Sequence, residues 1–94
     1  MIDRIVLIRT TGDEKRIRET LERVSQLNGN VPGLVEARVG ADSSERTRGH
    51  QHAFVLRFET AEDLAAWGSN PLHDPIRNEL SSQSSQIVFD FHVD

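Results

Sequence analysis

His50, His52 and His73 are the residues of this chain best suited to moving a proton near neutral pH, because an imidazole titrates near about 6.5. His50 and His52 form an H-x-H. On a strand, that spacing sets both rings on one face with Cα atoms roughly 6.5–7 Å apart. A third ligand such as His73 would complete a site for zinc, copper, nickel or iron. Neither an H-E-x-x-H sequence nor a facial triad accompanies the pair, so no metal is expected. His52 and His73 are then either an acid–base pair or structural rings hydrogen-bonded to backbone or to a carboxylate. Arg4 can grip a ligand carboxylate through two parallel N–H donors, or pair with Asp3 or Asp90. Trp67 can stack on a ligand ring or cover the sheet as core. The chain has no G-x-S-x-G, P-loop or dinucleotide fingerprint, and no cofactor is expected.

These side chains need elements to hold them, and hydrophobic periodicity supplies the outline. Residues 2–9 contain the β-branched run Ile5-Val6-Leu7-Ile8, a strand apolar on both faces. Thr11 and Glu14 have the form of a capping box. Ile17, Leu21, Val24 and Leu27 then recur at helical spacing, predicting a helix over about 13–28. Its outward face carries i,i+4 pairs such as Glu14/Arg18 and Lys15/Glu19, a solvated surface. Asn28 to Gly33 is a turn. From Leu34 the alternation of Val35, Ala37 and Val39 with Glu36 and Arg38 predicts a half-buried strand, followed by a polar loop over 40–49. The next strand is expected over 50–59, with His50, His52, Phe54, Leu56 and Phe58 on one face. Thr60 and Asp63 cap a short helix reaching Trp67. A turn over 70–74 precedes a further helix over 75–82, and a polar connection over 81–86 leads to a last strand over 87–93.

The order is β-α-β-β-α-β with the second helix broken, an α+β ferredoxin-like pattern. One such sheet covered by helices on a single face leaves its other face to hide. The two-sided apolar first and last strands therefore predict a homodimer joined through the sheet. At 94 residues the chain fits one domain, 1–94, and a unit this short buries only about 60–65% of its unfolded surface. Eleven basic residues against fifteen acidic ones give a net charge of −4, with the bases interleaved among acids. Nucleic acid is disfavoured as a partner. No cysteine occurs, and the longest apolar run near the start is too short for a signal or a span. A cytoplasmic protein with no membrane partner is expected.

Several segments resemble the stress-responsive dimeric α/β-barrel (Dabb) family: Ile5-Val6-Leu7, the Val31-Pro32-Gly33 turn into Leu34, and His50-Gln51-His52-Ala53 leading to Phe58-Glu59. Glu62-Asp63-Leu64 together with Asn70-Pro71-Leu72-His73 is the most specific part of the likeness. The resemblance implies a dimeric barrel of two packed sheets with a cavity between sheet and helices in each subunit, lined by His52, His73 and Trp67. It implies a small hydrophobic or aromatic ligand, with His73 at the catalytic position of a polyketide cyclase in the family and His52 at a supporting one. Trp67 stands where that cyclase has its catalytic tyrosine, and Arg4 where it has a histidine. An indole cannot donate and recover a proton as a phenol does, so the same mechanism does not transfer. Three functions follow as alternatives. The first is a ligand-binding domain of unassigned role using Trp67, Arg4 and His50. The second is a cofactor-independent enzyme using His73 and His52, and the third is a structural or protein-binding module.

Overall fold

The computed structural model describes residues 1–93. Strand β1 spans Ile2–Thr10, helix α1 Glu14–Ser25, β2 Leu34–Ala41, β3 His52–Phe58, α2 Ala61–Trp67, α3 His73–Gln83 and β4 Ser84–His92. The four strands form one sheet in the order β2-β3-β1-β4, and every hydrogen-bonded pair is antiparallel. This is the ferredoxin-like arrangement: each helical crossover joins two parallel strands that flank a third. No described helix is long and apolar enough to cross a membrane.

Local chemistry moves several boundaries from where periodicity put them. The residue capping α1 is Asp13, whose carboxylate accepts from the Lys15 and Arg16 N–H groups at 2.9 and 3.4 Å. Thr11 does not cap the helix. Its N–H and that of Gly12 donate to the Gln83 carbonyl at 2.9 and 3.0 Å, tying the start of α1 to the end of α3. Asn28 lies beyond the helix, and its side-chain amide bonds both backbone groups of Ala37, at 2.8 and 2.9 Å. Gly33 adopts φ +76°, and a Cβ there would collide with the Asp63 side chain, so both torsion and space require glycine. Thr60 caps α2 as the sequence predicts, accepting from the Asp63 N–H at 3.1 Å.

The last two elements are longer than expected. Helix α3 begins at His73, not Pro75, because Pro75 falls in the first turn, where a missing N–H leaves no intrahelical bond unmade. It ends at Gln83, and Ser84 passes directly into β4, so the polar run over 81–86 is split between helix and strand. Strand β3, in turn, starts at His52. His50 precedes it with its Nδ1 3.0 Å from the Thr47 carbonyl, closing a short 3-10 turn over Glu45–Thr47.

One face of the sheet is covered. Ile8, Leu56 and Phe58 pack on it beneath Ile17 and Val24 of α1, all at most 1% exposed. The other face is bare and apolar along β1 and β4, where Leu7, Ile87, Phe89 and Phe91 are 37–62% exposed. Asp3 and Arg57 lie on the same bare face. They are register partners joined by two hydrogen bonds of 2.7 and 2.8 Å.

Candidate functional site

Between the covered face and the helices lies a cavity of about 180 Å³. Val6, Phe54 and Leu56 of the sheet form its floor, and Leu27, Ile76 and Leu80 its roof. Trp67, the last residue of α2, closes one end and is 3% exposed. The chain then turns tightly: the Asn70 N–H donates to the Trp67 carbonyl at 3.0 Å, and the His73 N–H donates to the Asn70 carbonyl at 2.9 Å. These turns fold His73 back onto the indole, with ring centroids 5.1 Å apart at an interplanar angle of 77°. That is the edge-to-face geometry aromatic pairs favour.

His73 is half-buried, and its Nδ1 is fully buried without a hydrogen-bond partner. Burial holds its pKa below the ordinary histidine value. The neighbouring cations Arg77 and Arg4 push the same way, and Asp74 opposes them. The ring is therefore neutral at pH 7 and retains one lone pair able to accept a proton.

Arg4 reaches the same cavity from β1. Its guanidinium donates to both oxygens of Asp90, its register partner on β4, at 2.9 and 3.0 Å. The bond to Arg4 keeps the Asp90 carboxyl below its usual range. Of the two acids that could have claimed Arg4, Asp90 does so and Asp3 goes to Arg57.

His52 does not line this cavity, which departs from the placement the resemblance implied. It is opposite Ile8, two residues along β3 from Phe54. There its Nε2 contacts the carboxylate of Glu14, the first residue of α1. The adjacent Thr10 hydroxyl, though short of full hydrogen-bond geometry, and the His52 ring hold the Glu14 carboxyl below its ordinary range. His50 and His52 instead border a wider, shallower hollow of about 510 Å³ beside the 42–49 loop, with Leu7 and Ile87 at its base. Trp67, Arg4 and His73 are thus brought together, and His50 and His52 lie elsewhere. Among the described residues no group of three histidines or carboxylates could hold a metal ion.

Two participants escaped the sequence reading. Arg77 lines the cavity one helical turn after His73; the i,i+4 spacing would have revealed it, had the helix been started at His73 and not at Pro75. Glu14, whose i,i+4 spacing to Arg18 predicts a solvated helix face, meets His52 instead, and nothing in one strand's sequence tells which helix start will meet it.

The chain's fold recurs in solved structures. A dimeric ferredoxin-like protein of unknown function from Jannaschia sp. CCS1 superposes with a TM-score of 0.87 at 22% identity, covering 98% of each chain. The hydroxynitrile lyase of Passiflora edulis gives a TM-score of 0.85 at 19% identity over 99% of this chain and 93% of that one. The cofactor-independent oxygenase SnoaB of Streptomyces nogalater gives 0.80 at 12% over 99% and 92%. No curated protein matches the chain in sequence. Residues 2–93 match the stress responsive A/B barrel domain, and over nearly its whole length the chain belongs to that family.

Proposed function

We propose that residues 1–94 act as one cytoplasmic, homodimeric domain that binds a small hydrophobic or aromatic molecule in the cavity closed by Trp67 and His73. The observation that carries this reading is the composition of that cavity: apolar walls around one buried, unpartnered imidazole nitrogen. Ligand sites are typically apolar, with a few convergent polar groups that fix orientation. Self-association is supported by the bare apolar face of β1 and β4 and by relatives described as dimeric from Jannaschia and Thermobifida fusca. Light scattering should return about twice 10.6 kDa, and Phe89→Glu should halve that mass. For the ligand, NMR titration with neutral monocyclic aromatics such as benzamide should shift the Trp67 indole N–H. An indole signal that stays fixed to millimolar probe sinks the binding reading and leaves a structural or protein-binding role.

A second reading is cofactor-independent acid–base catalysis with His73 as the base, favoured by its neutral ring and free lone pair. The lyase and the oxygenase with this fold lend it support. In this reading His52 acts from a distance, by anchoring the start of α1 through Glu14. Positioned proton transfer is worth about 10²–10⁴-fold, or about 3–5 kcal/mol of barrier. His73→Ala should cost that much turnover with the melting temperature nearly unchanged; unchanged turnover of an identified substrate removes the assignment.

A further inference from the structure

The molecule carries a formal −4, yet among the described residues the ionisable side chains lining the cavity are Arg4, Arg77 and the neutral His73, and the acids that pair with the two arginines lie outside the lining. The two arginines differ in how firmly they are held. Arg4 is bound bidentately by Asp90, a partner fixed by strand register. Among the described residues Arg77 is paired with Asp74 alone, at 3.4 Å one turn earlier on the same helix, and their side chains are 55% and 60% exposed. A loose surface pair of this kind contributes little and yields readily to a better-placed acceptor.

We infer that Arg77 is the anchor for a carboxylate on the ligand, whose apolar body fills the cavity. This inference rests on the ligand-binding reading above and narrows it to small aromatic or branched aliphatic acids. A guanidinium matches a carboxylate bidentately, and Arg77 stands at the cavity rim, where an anionic head stays partly solvated while the body is buried. Ring size follows from volume: an apolar hollow of roughly 150 Å³ admits benzene, and this one measures about 180 Å³. His73, one turn before Arg77, then faces the ring and not the head group. Arg4 does not take the head, because its charge is already matched by Asp90, which holds its Nε and one Nη bidentately.

Calorimetric titration of benzoate and its neutral isostere benzamide, into the wild-type protein and Arg77→Gln at pH 7, tests the assignment. The wild type should bind benzoate at least about tenfold more tightly than benzamide. In Arg77→Gln that preference should fall to near unity while the benzamide affinity is kept, which also shows that the variant is folded. Added salt should weaken benzoate and spare benzamide. Equal affinity of the wild type for the two probes overturns the anion anchor and leaves the binding reading standing. A preference that survives in Arg77→Gln moves the anchor away from Arg77 and overturns it too. If neither probe binds, the ligand-binding reading itself falls, and this inference with it.

Discussion

His73 and His52 both sit between helix and sheet as partly buried rings, and their surroundings are opposite in kind. His52 has a carboxylate against its Nε2, so its polar atom is satisfied and two elements are tied together. His73 has an indole edge and apolar walls, two cations nearby, and a buried nitrogen with no hydrogen-bond partner among the described residues. A satisfied ring stabilises the fold, whereas an unsatisfied one is a local cost. His52 ties two elements of the molecule together, and His73 does not.

The contrast can be broken first at Trp67, the wall His73 leans on. Trp67→Ala removes a side chain 3% exposed and should cost about 3–5 kcal/mol, read as a fall of more than about 10 °C in Tm at fixed protein concentration. A smaller fall would mean that the indole is not what shapes the cavity end. Next in size is His52→Ala. Losing a charge-assisted bond to a half-exposed carboxylate should cost about 1 kcal/mol, with benzamide binding unchanged. Binding lost in step with stability would make the two ends one site. His73→Phe should be within about 0.5 kcal/mol of the wild type or more stable, since the ring contact with Trp67 survives and the unbonded nitrogen goes. Chemical denaturation that showed His73→Phe to be strongly destabilised would return His73 to the structural class.

The smallest effect is the pH dependence, and the two ends should show it in different windows. His73 has its pKa lowered from 6.5 in the fold, so the unfolded chain takes up more protons. Its contribution to stability is complete above about 6.5 and is lost as pH falls below that value. Glu14, lowered from 4.5, keeps its contribution above its unfolded value and loses it only as pH falls further. Stability measured from pH 7 to 3 should therefore show an upper slope that His73→Phe removes and a lower slope that His52→Ala reduces.

The order of elements and the covered face were legible in the sequence because alternation along β3 and the 3.6-residue spacing of Ile17, Leu21 and Val24 are local signals with one geometric reading. The ends of elements were less legible. Thr11 and Asp13 are both competent caps, and it is the Asp13 carboxylate that meets the first free N–H groups of the helix, while the Thr11 and Gly12 N–H groups go to the distant Gln83 carbonyl. His50 alternates correctly with His52, but the 3-10 turn before it captured its ring. The site divided in the same way. Arg4, Trp67 and His73 were recognised as candidates by their chemistry, whereas the separation of His52 from His73 is a tertiary fact. It depends on which helix start lies over residue 52, and no local pattern encodes that.

The central position of β1 governs how the molecule assembles. Strand β1 pairs with β3 on one side and, on the other, with β4, which follows it by more than seventy residues. The Val93 N–H donates to the Met1 carbonyl at 2.9 Å, so residues 1 and 93 lie side by side. A nascent chain therefore holds β1 with one flank open until residues 84–92 leave the ribosome. Contacts of such long sequence separation slow folding, and a chain stalled before residue 84 would expose the β1 flank to other chains. A short linker joining residue 93 to residue 1 would permit a break in the 42–49 loop, giving an order in which neighbouring strands are made closer together in time.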